Sequence, residues 1–396
     1  TVVSRKGTSS YKWNFFPEDL ATKHFVYTDR YFEPDGPIPM WVADMDFKTA
    51  QPIIDAIVKR ASHGIFGYTG KSPAYYKAVC HWMKKRHHWD IQPEWIVPTP
   101  GTTSAIHILI NTFTSVADKV IIPTPANFPF MGASLKNGRQ PLMSPLKFEN
   151  KRYTMNYEDI EEKASDPLAK IMFLCNPHNP VGRVWSREEL TRVGEICLRN
   201  NVVVISDEVH LDTVFKGHKY TPFASISTEF ALNAIASTST NKAFNLGGVQ
   251  AANLIVPNEK LRQAFELELS KNGYEQLNPF GMVAVEAAYS EGEEWLGQCL
   301  AYLEENLNFL DNFLKEKLPE VGLVRPEGTH LAWLDFRSLG MYKDELHNFI
   351  IEKARVVFDD GYVFGEGGDG FQRLNFACPR SVLEEVLNRV EKAIHG

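Results

Sequence analysis

Short, mostly apolar runs alternate with longer segments through the middle of this 396-residue chain. Val120-Ile121-Ile122, Ile171 to Cys175, Val202 to Ile205, Ala234-Ile235-Ala236 and Asn253 to Val256 have the length and composition of strands buried on both faces. Some of the intervening stretches, such as Ser186 to Asn200 and Asn258 to Ser270, have the spacing of amphipathic helices. Strands alternating with helices predict an α/β fold built on a doubly wound, mostly parallel sheet. In such sheets ligands bind at the carboxyl ends of the strands.

Three polar residues fall at those ends. Asn179 lies in Asn176-Pro177-His178-Asn179-Pro180, Asp207 in Ser206-Asp207-Glu208-Val209-His210, and Lys242 in Ser239-Thr240-Asn241-Lys242. An Asn, an Asp and a Lys in that order are what an enzyme needs to hold pyridoxal phosphate. The Lys amine forms a Schiff base with the aldehyde, the Asp carboxylate pairs with the pyridinium nitrogen, and the Asn amide bonds the ring hydroxyl. The phosphate needs a cradle as well. Pro100-Gly101-Thr102-Thr103-Ser104 opens an apolar helical stretch, Ala105 to Phe113, whose first free N–H groups favour an anion. Each residue alone has an ordinary reading: a solvated lysine, a capping Asp or Thr, a turn Asn. Their order and spacing together carry the inference.

From about Pro279 the texture changes. Met282 to Tyr289 reads as helix, and a second helical stretch runs past Glu291 to Phe313. Val321 to Val324, Leu331 to Leu334 and Arg373 to Phe376 read as strands of a second sheet, and Ser381 to Ile394 as a closing helix. The expected organisation is a large domain over 46–285 and a small domain made of 1–45 and 286–396. A net charge of −7 argues against non-specific binding of nucleic acid or anionic membranes. The five cysteines are scattered without a CxxC, so neither a disulfide framework nor a metal site is expected. The start lacks an apolar leader and no run of 18 apolar residues occurs, so a cytoplasmic location is expected. Gly365 to Gly370 matches G-x-G-x-x-G but precedes a strand, which predicts a loop and not a dinucleotide site. His81, His87 and His88 read as a polar helix face.

With these residues in place, the chain resembles the fold-type I pyridoxal-phosphate enzymes, and among them the cysteine-S-conjugate β-lyases (cystathionine β-lyases) of the MalY/PatB kind. The likeness runs nearly end to end. It includes Pro39 to Phe47, Gly64 to Thr69, Asp207-Glu208-Val209-His210, Asn241 to Asn245, Ala332 to Asp335 and Arg373-Leu374-Asn375. It implies that Lys242 holds the cofactor and moves protons, with Asp207 on the ring nitrogen and Asn179 and His210 near the ring hydroxyl. Thr102, Thr103 and Ser239 would bind the phosphate. Tyr68 would reach the phosphate of the neighbouring subunit, making a homodimer the minimal unit. Arg373 would grip the carboxylate of an amino-acid substrate, with Ala43 beside it. Two positions depart from the pattern. Gln250 stands where many aminotransferases of this fold have a phosphate-binding Arg. Asn127, next to Phe128, stands where the family supplies a ring-stacking aromatic. The reaction implied is α,β-elimination to thiol, pyruvate and ammonia. The alternatives are an aminotransferase, a β-substitution or decarboxylation enzyme, and a cofactor-binding regulatory protein.

Overall fold

A computed structural model describes residues 2–19, 24–274 and 276–396. Seven strands build its main sheet: β1 (Ile96–Thr99), β2 (Lys119–Thr124), β3 (Gln140–Pro145), β4 (Ala169–Cys175), β5 (Val203–Asp207), β6 (Ala234–Thr238) and β7 (Ala252–Ile255). Their order is β1-β7-β6-β5-β4-β2-β3. The neighbours from β6 to β3 pair in parallel, and β7 runs antiparallel to both β6 and β1. Side chains of β4 show why its run is apolar throughout. Ile171, Phe173 and Cys175 enter one core and Met172 and Leu174 another, one on each face of the sheet. The sequence reading did not anticipate β3. Its Pro141 and Pro145 fit only a strand at the sheet edge, where it lies.

Helices α1 (Thr102–Phe113), α2 (Arg187–Arg199) and α3 (Glu259–Lys271) flank this sheet. In α2 the Ser186 side chain accepts from Glu189 N–H while the Glu189 carboxylate accepts from Ser186 N–H, so two otherwise orphan donors are satisfied. Leu190, Val193, Ile196 and Cys197 then line up on the buried face. Each such side chain contributes roughly 1.5–3 kcal/mol by burial, and Leu190→Ala would cost about 2–5 kcal/mol.

Helices α4 (Pro279–Glu291) and α5 (Glu293–Lys317) lead to a four-stranded antiparallel sheet: β8 (Gly322–Val324), β9 (Leu331–Asp335), β10 (Asp359–Asp360) and β11 (Phe371–Asn375), ordered β8-β9-β11-β10. The last helix, α6 (Arg380–His395), shares a core with α5 through Leu303, Leu307, Leu383 and Leu387. Ile38–Pro39 pairs in parallel with Val356–Val357, so the start of the chain is stitched to its last quarter. Gly182, at φ +74°, sits against Pro326, where a Cβ would lie 2.4 Å from the proline's own. Its carbonyl accepts from Glu327 and Gly328 N–H. A side chain there would meet both strain and a clash. The Gly365–Gly370 segment is a loop leading into β11.

Candidate active site

A cavity of about 300 Å3 opens beyond the carboxyl ends of β4, β5 and β6, lined by Asn179, Asp207 and Lys242 together with side chains from distant segments. Asp207 closes β5 and is 5% exposed. Its carboxylate accepts one long bond, from Val209 N–H at 3.4 Å. Burial pushes its pKa from 3.8 to about 6, opposed by that N–H and by Lys242. The Lys242 Nζ donates to the Ala43 carbonyl at 3.1 Å. Burial, and then the nearby Arg373 charge, lower its pKa. His210 lines the same cavity, and burial, helped by Lys242, holds it well below the usual histidine range. Its Nδ1 has no hydrogen-bond partner among the described residues.

Arg373, in the middle of β11, forms the opposite wall. Its Nη1 donates to Asn179 Oδ1 at 2.9 Å, its Nη2 to the Trp41 carbonyl at 3.2 Å, and its Nε to Asp359 Oδ2 at 3.0 Å. Its guanidinium lies 4.8 Å from the centre of the Phe364 ring. Asp359 stands directly across the ladder from Arg373, and both side chains are 4% exposed. Burial raises the Asp359 carboxyl to about 6 against the pull of Arg373. Asp359 is a site residue that sequence reasoning missed. Val357-Phe358-Asp359-Asp360 carries no motif, and only strand pairing brings it to Arg373. Tyr11, Phe25 and Val363 line the cavity too and were equally silent, whereas Trp41 lay inside a segment already singled out.

The remaining expected residues are less uniform. Thr102 and Thr103 line the cavity at the first turn of α1, behind Gly101 at φ +100°. A Cβ on Gly101 would stand 3.8 Å from Gln250 Cα, which puts Gln250 beside that turn. Asn127 and Phe128 both line the cavity. Ser239 is buried, and its hydroxyl accepts from Asn241 N–H at 3.2 Å. Thr240 Oγ1 is buried without a partner among the described residues. Tyr68 is 97% exposed and lies outside the cavity lining of its own chain. His87 bonds buried Asp212 at 2.8 Å and lies outside the cavity lining.

This donor set fits pyridoxal phosphate. A buried carboxylate with one weak bond matches a ring cation, an amine held below its usual pKa matches an aldehyde, and a helix N-terminus with hydroxyls matches a phosphate. The model for aminotransferases of class I and II matches residues 38–390. The chain belongs to that family. Cystathionine beta-lyase PatB of Bacillus subtilis is 41% identical over 390 residues, covering 98% of each chain. Two solved structures share the class I and II aminotransferase fold with this chain along its whole length. Cystalysin from Treponema denticola, which contains pyridoxal 5'-phosphate, is 35% identical with a TM-score of 0.93, covering 100% of this chain and 98% of its own. The PLP-bound C-S lyase from Staphylococcus hominis is 32% identical with a TM-score of 0.90, covering 100% and 97%.

Proposed function

We propose that this protein is a pyridoxal-phosphate-dependent carbon–sulfur β-lyase acting on cystathionine or other cysteine S-conjugates. The cysteine conjugate and one water give a free thiol, pyruvate and ammonium. The observation that carries this reading is the meeting of Lys242, Asp207, Asn179 and Arg373 in one cavity of a chain 41% identical to a protein named cystathionine beta-lyase.

When bound, the cofactor supplies an aldehyde for an amine and a ring that withdraws electrons from the substrate Cα. The protein supplies the rest. Arg373 holds the substrate carboxylate, in a fork already oriented by Asp359 and Asn179. Lys242 Nζ, its pKa lowered by burial and by Arg373, takes the Cα proton. Ala43 offers a carbonyl that steers the amine. Asp207 keeps the ring nitrogen protonated, and Asn179 and His210 meet the ring hydroxyl. Asn127 and Phe128 flank the ring. Thr102, Thr103, Ser239 and the first turn of α1 hold the phosphate. Tyr68 of the partner subunit completes that cradle, so the working form is a homodimer located in the cytoplasm. Residues 46–285 form the cofactor-binding domain, and 1–45 with 286–396 the small domain.

The test is incubation of the holoenzyme with cystathionine without added keto acid. Free thiol and pyruvate should appear together in equal amounts. Product that forms only when a keto acid is supplied would assign the chain to the aminotransferase branch instead. A structure of the assembled protein with Tyr68 far from every cofactor phosphate would overturn the shared site.

A further inference from the structure

With the cofactor and the substrate carboxylate assigned, one part of the cavity remains unexplained. The segment Trp41 to Ala43 runs between the two reactive walls. Its Trp41 carbonyl accepts from Arg373 and its Ala43 carbonyl from Lys242. A substrate Cα placed between Arg373 and Lys242 lies beside this segment, which leaves the adjoining wall to its side chain. What it meets there is aromatic. Phe25 is stacked on Trp41 at 5.4 Å with ring planes 21° apart, and Tyr11 lies 5.1 Å from Phe25 and 5.5 Å from Trp41. Val42, Phe128 and Val363 continue the wall.

The charge inventory is as telling. Among the described residues, the charged side chains lining the cavity are Asp207, Lys242, Asp359 and Arg373. All four have partners or tasks at the reacting end. None of these four remains for a second charged group. A substituent carrying its own ammonium and carboxylate would enter an aromatic wall with no counter-charge, and an unpaired charge in such a place is costly. An uncharged apolar group would gain the burial.

The aromatic pair is also held in place. Lys12, next to Tyr11, is fully buried and ion-paired to Asp46 at 2.6 Å, while Arg5 pairs with Asp44 at 2.8 Å. Trp13 Nε1 donates to Asp46 at 2.9 Å, and Trp41 Nε1 to the Lys12 carbonyl at 3.3 Å. This network fixes Tyr11 at the cavity mouth although 48% of its surface is exposed.

Resting on the lyase reading above, we propose that Tyr11 and Phe25, braced on Trp41, select the group on the substrate sulfur and favour uncharged apolar substituents over the zwitterionic second half of cystathionine. The test compares S-benzyl-L-cysteine, S-methyl-L-cysteine and cystathionine on the holoenzyme, reading thiol and pyruvate. S-benzyl-L-cysteine should exceed cystathionine in kcat/KM by roughly tenfold or more. Tyr11→Ala and Phe25→Ala should lower the S-benzyl to S-methyl ratio several-fold, mainly through KM, with cofactor absorbance retained. Phe25→Arg should move the preference toward cystathionine. A wild-type preference for cystathionine, or ratios unmoved in both alanine variants, would overturn the proposal while leaving the lyase reading intact. Absence of thiol from all three substrates would instead overturn the lyase reading, and this proposal with it.

Discussion

The floor and the rim of the cavity are built in different ways. The floor takes Asn179, Asp207 and Lys242 from the ends of neighbouring strands, each placed by its own strand–turn segment. The rim takes Tyr11, Phe25, Trp41, Asp359 and Arg373 from segments that meet only when the whole chain has folded. The floor is local and modular, so its chemistry is set by residue type at a strand end. The rim is a long-range assembly, where bonds such as Arg373 to Trp41 span 332 residues. Reaction chemistry should thus depend on the floor, and substrate choice and stability on the rim.

Removing the floor amine is the sharpest test. Lys242→Ala should lower kcat on the order of 10^4-fold, because one group both anchors the cofactor and moves the proton. It should also abolish the visible absorbance of the bound cofactor. Near wild-type turnover by the purified variant would end the division of labour proposed here.

At the rim, Lys12→Met should act on stability first. It leaves Asp46 buried with a weaker set of partners, at a cost of about 3–5 kcal/mol, readable as a lower midpoint in urea. An unchanged midpoint would mean that the arm is not anchored by this pair. Arg373→Ala should cost roughly 2–5 kcal/mol in kcat/KM, about 30- to several-thousand-fold, with cofactor occupancy held. Arg373→Lys should restore only part, since an ammonium cannot reproduce the fork. Loss of cofactor with KM intact would move Arg373 from the rim to the floor.

The smallest effect returns to the floor and concerns pH. Asp207 has a folded pKa of about 6 against an ordinary 3.8, raised by burial. A raised carboxyl favours folding while protonated, so its contribution is full below pH 3.8 and lost as pH rises through 6. In cofactor-free protein Asp207→Asn should therefore raise stability at pH 8 by about 1–3 kcal/mol relative to wild type, and by little at pH 4. Thermal melts at the two pH values measure this. The same variant should bind cofactor more weakly. Equal melting shifts at both pH values would show that ionisation of this carboxylate is not the cause.

The contrast also explains what was legible. Asp207 and Lys242 could be read because an apolar run followed by a polar residue is a local pattern with a known place in a parallel sheet. The strands around them could be read because burial on both faces leaves a continuous apolar signature. Asp359 could not, since its meaning lies in a ladder partner 14 residues away across a 3-10 turn and a glycine loop. Phe25 and Tyr11 belonged to no motif in the first 45 residues. The edge strand β3 escaped because two prolines mask it.

One feature of the rim bears on how the protein is made. Along residues 41–45 every backbone carbonyl is taken by a side chain from elsewhere: Trp41 by Arg373, Val42 and Asp44 by Asn375, Ala43 by Lys242 and Met45 by Asn245. Those donors lie between 199 and 333 residues further along the chain. At about 5–20 residues per second, a ribosome needs roughly 10–70 s to reach them. Until then a ribbon bearing Met40, Trp41 and Met45 waits without Arg373 and Asn375, and without most of the core that packs on Met40 and Met45. A part of the site translated early is among the last to be finished.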